Sequence, residues 1–131
     1  MRSSLYNYRA ELVSVYDGDT IKVILSLGLN HYLGSEKQPI KIRLFGIDTP
    51  EIRTRDPEEK AAGYAARDRL KELLGPPGST IWIRTEKDKG GKFGRILGTI
   101  WKTEGDMVAD LADLVSANQI LIDEDHAKMY G

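Results

Sequence analysis

Residues 40–51 read Ile40-Lys41-Ile42-Arg43-Leu44-Phe45-Gly46-Ile47-Asp48-Thr49-Pro50-Glu51. The stretch from Ile40 to Ile47 reads as a strand that carries an arginine, Arg43, near its middle. Pro50 has no N–H and pushes Thr49 towards extended geometry, so the ladder is expected to stop at Asp48-Thr49-Pro50-Glu51. Arg43 and Asp48 are five residues apart, which on a regular strand places them on opposite sides. Both reach one place only if the chain bends between them or has already left the strand. Gly46 is the position suited to such a bend or bulge.

Upstream, Tyr8 to Tyr16 reads as a first strand and ends in the turn signal Asp17-Gly18-Asp19-Thr20. Ile21 to Leu27 reads as a second, and residues 28–39 as a loop or hairpin end punctuated by Gly28, Gly34 and Pro39. Downstream, Asp56 and Pro57 mark a helix start, with Glu58 and Glu59 in its first turn. Ala62, Ala65, Ala66, Leu70, Leu73 and Leu74 recur at helical spacing, and Gly75-Pro76-Pro77-Gly78 stops the run. Thr80 to Thr85 and Phe93 to Trp101 read as fourth and fifth strands, either side of a charged, Gly-rich loop. Met107 to Val115 fits helix and strand equally. Ser116 to Glu124 reads as a helix with Ser116 as N-cap and Gln119 as its capping-box partner. Five short strands with a helix between the third and fourth give an α+β pattern, mainly β. It fits a five-stranded barrel of OB type with two or three helices, one of them plugging an end.

A chain of 131 residues is normally one domain, here expected to span 1–131. Its 40% apolar and 30% charged residues are ordinary for a globular protein. No cysteine is present, which excludes disulfides and thiolate metal sites, and two histidines argue against a multi-histidine zinc site. A metal here would be hard and oxygen-ligated. No apolar run approaches the ~20 residues that span a bilayer, so no membrane partner is expected. The first residues lack a signal-peptide core, so the chain as it stands is expected in the cytoplasm, or outside the cell if a leader was removed. Net charge is −1, so attraction to phosphate must come from a local basic patch.

Asp19, Asp48 and Glu51 sit at element ends, where a rigid barrel tends to carry function. Clustered carboxylates repel one another and usually need a cation; Asp19, Asp48 and the Thr49 carbonyl supply oxygens that suit Ca²⁺. Arg43 and Arg95 lie near the same strand ends, and arginine grips phosphate bidentately. Acids with arginines suggest phosphoryl chemistry, the acids holding metal and orienting water while the arginines neutralise developing charge.

Three stretches then carry a family resemblance, in order: Asp17-Gly18-Asp19-Thr20, Ile42 to Glu51, and Lys92-Phe93-Gly94-Arg95. Together they resemble the signatures of the staphylococcal nuclease family, and Asn118-Gln119 with His126-Ala127 resembles its bacterial and phage-borne members. The resemblance implies a Ca²⁺-dependent endonuclease that hydrolyses DNA or RNA at the P–O5′ bond. It implies Asp19, Asp48 and the Thr49 carbonyl as calcium ligands, Arg43 and Arg95 on phosphate, and Glu51 as the group that orients or deprotonates water. Lys92 and Phe93 fall in the substrate-binding motif, with Phe93 where the family often has tyrosine and Gly91 where it often has an acid. A nucleic-acid substrate and a monomer follow as expectations.

Plainer readings stand beside these. Asp17 reads as a turn former, Tyr64 as core or surface, and Trp82 and Trp101 as core. Arg53, Arg55, Lys87, Lys89 and Lys92 form either a solvated face or a path for the strand. The competing reading of the whole chain is a non-catalytic OB module that binds nucleic acid or protein. A metal-stabilised structural domain is a third.

Overall fold

The computed structural model describes residues 6–87, 96–102 and 115–129. In chain order these form β1 (Tyr6–Asp17), β2 (Thr20–Gly28), β3 (His31–Leu33), β4 (Ile40–Leu44), β5 (Ile47–Asp48), α1 (Pro57–Leu74), β6 (Thr80–Lys87), β7 (Ile96–Trp101), α2 (Ala117–Asp123) and β8 (Lys128–Met129). The large sheet runs β1-β6-β7-β4-β2-β3, and β1 also pairs with β2. That extra pairing closes a five-stranded barrel from β1, β6, β7, β4 and β2. Its neighbours are antiparallel except β4 and β7, which run parallel. The architecture is the expected OB-type α+β barrel with two helices among the described residues.

Alternation builds the interior. Ile21, Val23, Ile42, Leu44, Ile81, Ile83 and Ile100 point inward from the strands and are fully or almost fully buried. Leu70 and Leu74 of α1 and Leu121 of α2 join the same cluster. Complete burial of each such side chain contributes about 1.5–3 kcal/mol. The buried face of α1 is Gly63, Ala66, Leu70 and Leu74. Ala62 and Ala65, expected on that face, are exposed. Asp56 Oδ1 accepts from Glu58 N at 3.0 Å, so α1 is capped where the sequence placed its start. No helix of the described residues is long and apolar enough to cross a membrane.

Three local expectations change. The third strand stops at Leu44, not Ile47. Gly46 has φ of +79° and turns the chain, so that Ile47 and Asp48 leave the barrel and pair with Met129 and Lys128. Glycine takes this left-handed geometry without the Cβ clash other residues meet. Second, residues 28–39 contain a strand: β3 pairs back on β2 through Leu25↔Leu33 and Ser26↔Tyr32, across a turn in which Gly28, Leu29 and Asn30 all have positive φ. Third, Ser116 Oγ caps α2 by accepting from Gln119 N at 3.1 Å. The Gln119 amide does not return the bond; it donates to Asp123 Oδ1 at 2.8 Å, one helical turn on. The reading of Met107 to Val115 falls, up to residue 114, outside the described residues.

Candidate active site

The site begins with a register. Thr20 of β2 faces Arg43 of β4, and the Leu44 N–H donates to the Asp19 carbonyl at 2.8 Å. These contacts set Arg43 beside the Asp17-Gly18-Asp19-Thr20 turn. Ile42 and Leu44 are buried in the barrel on either side of Arg43, which leaves the arginine on the opposite face. Arg43 Nη2 lies 3.6 Å from Asp19 Oδ2 and 3.3 Å from Asp48 Oδ1. The same nitrogen donates to the Ile47 carbonyl at 3.3 Å. The bend at Gly46 therefore resolves the strand-parity problem: Asp48 is beyond the end of β4 and has turned back to Arg43.

Asp19 is buried, and its two oxygens are used differently. Oδ1 accepts from Thr20 Oγ1 at 3.2 Å and Oδ2 from Thr49 N at 3.2 Å. Asp48 is half exposed. Thr49 is buried against Gly18, where an added Cβ would lie 2.9 Å from the Thr49 side chain. Gly63 plays the matching part on α1. A Cβ there would lie 2.9 Å from both the Pro50 and Glu51 carbonyls, so a glycine lets the helix touch this loop. Glu51 itself is exposed, with its N–H donating to Glu59 Oε2 at 3.3 Å.

Asp17 shapes the electrostatics. Its Oδ1 accepts from Asp19 N at 3.1 Å, the turn-forming bond expected of it. Burial, then hydrogen bonding to the Asp19 carboxyl and that group's charge, pushes the Asp17 carboxyl up to about 6. Two carboxylates this close disfavour joint ionisation.

Asn118 organises the site from behind, and sequence reasoning gave it no such part. Its Nδ2 donates to the Phe45 carbonyl at 2.9 Å and the Gly98 carbonyl at 3.1 Å, while Oδ1 accepts from Ile100 N at 3.0 Å. One buried amide thus joins α2, β7 and the turn that follows β4. A polar residue in the first turn of a helix otherwise rich in Ile and Leu was the available signal.

Among the sequence-assigned residues, Arg43, Asp19, Asp48 and Thr49 come together. Glu51 does not contact them; it lines a neighbouring cleft together with Asp17. Arg95, Lys92 and Phe93 lie outside the described residues. Ile96 pairs with Ile42, one residue from Arg43. The oxygens that converge on Arg43 are the Asp19 and Asp48 carboxylates and the Ile47 carbonyl, a chemistry that fits a hard cation such as Ca²⁺; Thr49 joins through its N–H. No group of three or more His, Cys, Asp or Glu side chains suited to a metal occurs among the described residues. Trp101 is buried as expected, whereas Trp82 is half-buried with Arg9 over its ring at 5.7 Å.

The model of the staphylococcal nuclease homologue family matches residues 41–130. Protein ParB of Escherichia coli is 36% identical over 93 residues, covering 71% of this chain and 41% of that protein. Micrococcal nuclease of Shigella flexneri is 30% identical over 124 residues, covering 95% of this chain and 59% of the relative. An uncharacterized protein of Methanocaldococcus jannaschii is 28% identical over 140 aligned positions, covering 95% and 60%. The chain thus spans 41–60% of the length of these curated relatives.

Proposed function

The chain belongs to the staphylococcal nuclease family, and from that premise we propose that it is a Ca²⁺-dependent nuclease hydrolysing phosphodiester bonds of DNA or RNA. The observation that supports this best is the meeting of Arg43 with the Asp19 and Asp48 carboxylates at one end of the barrel. A permanent cation between two carboxylates that can hold a metal is a site for handling phosphate.

Asp19, Asp48 and the Thr49 carbonyl would hold Ca²⁺, which when bound supplies Lewis-acid polarisation of a phosphoryl oxygen. The chain's own residues do the rest. Glu51 orients a water and takes its proton as the oxygen attacks phosphorus in line. The new P–O bond forms as the bond to the leaving sugar oxygen breaks; that oxygen takes a proton from solvent water, and Glu51 returns the proton it took to solvent. Arg43 offsets the charge that grows on the phosphoryl oxygens. Arg95 joins it on the ground of its sequence motif alone, as do Lys92 and Phe93 in substrate binding.

The test is release of acid-soluble nucleotide from heat-denatured DNA, in Ca²⁺ and in EGTA. Ca²⁺-dependent release is expected, reduced by about 10²–10⁴-fold in Glu51→Gln and by about 10²–10³-fold in Arg43→Ala and Arg95→Ala, with each variant folded by circular dichroism. Turnover close to wild type in any of the three removes that residue from the mechanism. Strand binding without turnover in the wild-type chain would instead support the non-catalytic module.

A further inference from the structure

Beside Glu51 the surface opens into a cleft of about 330 Å³, lined by Tyr16, Asp17, Glu51, Ile52, Arg53, Tyr64 and Arg67. Its volume is within the range of ligand-binding clefts, ~300–1,000 Å³. The lining has an unusual pairing. The Arg53 guanidinium lies over the Tyr16 ring at 5.8 Å, and that of Arg67 over the Tyr64 ring at 4.6 Å. Tyr16 and Tyr64 remain 44% and 37% exposed, so the rings are not core residues that happen to border a hollow.

The two arginines differ. Arg67 donates through Nε and Nη2 to Asp68 Oδ1 at 3.1 and 3.0 Å, so it braces the Tyr64 ring with much of its charge already paired. Arg53 is exposed, and no carboxylate of the described residues pairs with it. An arginine stacked on an aromatic face keeps its N–H edge for another acceptor, for which phosphate is the best match. Asp17 and Glu51 also line the cleft, and the Asp17 carboxyl is the acceptor left for a base N–H while Glu51 serves the water. Aromatic faces, a cation with an unused edge and nearby acceptors are together what an unpaired nucleotide requires.

We propose that this cleft is a subsite for an unpaired nucleotide of a single-stranded nucleic acid flanking the scissile phosphate, its base on the Tyr16 and Tyr64 rings and its phosphate on Arg53. The ligand class rests on the nuclease reading above. A duplex is excluded from the subsite, because its bases are already stacked and their faces covered.

The experiment is an anisotropy titration with a labelled oligothymidylate, and with the same strand paired to oligoadenylate, in EGTA so that binding is read apart from turnover. Tyr16→Leu and Tyr64→Leu are each expected to raise the single-strand Kd about tenfold or more. Tyr16→Phe and Tyr64→Phe, which keep the ring, restore binding to within about twofold. Arg53→Gln raises Kd and reduces the salt slope by about one. Lys60→Gln removes a cation outside the cleft and shifts Kd less than about twofold. Duplex affinity is unchanged throughout the tyrosine variants. Equal single-strand Kd in all proteins, no measurable strand binding, or loss in the phenylalanine variants overturns the subsite. Cleavage is assayed in parallel with Ca²⁺. Ring-dependent binding without cleavage in any protein keeps the subsite and discards the nuclease reading; cleavage with ring-independent binding discards the subsite alone.

Discussion

Asp17 shows how far one residue was legible. Its turn-forming bond to the Asp19 N–H follows from the Asp-Gly pair and was expected. Its raised carboxyl was not, because burial at the end of β1 is a property of the folded barrel. The sign of the consequence is definite. The folded carboxyl holds its proton up to about pH 6, whereas an ordinary aspartate releases it near 3.8. The stabilising contribution is therefore fully present below the unfolded value and is lost as pH rises through the folded one. Asp17→Asn keeps the oxygen that accepts from Asp19 and removes the titration. In chelator, the variant is expected to melt above wild type at about pH 8 and together with it at about pH 3.5, by thermal scans across that range. A constant difference at every pH would show that Asp17 is not the titrating group. Arg43 teaches the complementary lesson: its chemistry was legible in its type and motif, its partners only in the register Thr20↔Arg43.

Between elements, glycine and asparagine decide where the Pro50-Glu51 loop and the turn after β4 sit. Gly63 had no reading of its own in the sequence, since nothing local marks it as a contact. In the fold it is where α1 meets the Pro50 and Glu51 carbonyls. Gly63→Ala pushes a Cβ against backbone carbonyls, which cannot rotate away as a side chain would. The expected cost is about 1–3 kcal/mol in stability and up to about a hundredfold in kcat through displacement of Glu51. Denaturant titration with turnover measures both, and wild-type kcat would end the claim that this contact positions Glu51. Asn118 is the second such residue. Asn118→Leu leaves the buried Ile100 N–H without the side-chain acceptor it has now and takes a donor from the Gly98 and Phe45 carbonyls, at about 1–3 kcal/mol for a buried group left unmatched. Urea unfolding is expected to show that loss, and a variant as stable as wild type would mean the amide contributes nothing net. Helix to helix, Arg69 grips Glu124 through two hydrogen bonds of 2.7 and 2.9 Å, which holds the Glu124 carboxyl below its usual range.

For the molecule as a whole, a barrel that brings carboxylates of distant segments together should feel a cation that binds them. Ca²⁺ binding only the folded state is expected to raise Tm, by an amount equivalent to about 2.7 kcal/mol at a hundred times Kd. Asp19→Asn and Asp48→Asn should each shrink the shift, read by scanning with and without EGTA. An undiminished shift in both variants would place the cation elsewhere. What the sequence determined by itself was most of what acts over a few residues. The order of the five barrel strands and two helices, the Asp56 and Ser116 caps and the stop at Pro50 follow from local sterics and short-range hydrogen bonding, and the three signature stretches were legible as a resemblance; β3, β5 and β8 were not. Tertiary structure alone decided the early end of β4 at Gly46, the seating of Asp48 against Arg43, the three bonds of Asn118 and the tyrosine–arginine cleft beside Glu51. The reason is distance along the chain. Thr49 meets Asp19 across 30 residues and Asn118 meets Phe45 across 73. Such contacts exist only after barrel closure has chosen one register and close packing has fixed which side chains share a volume.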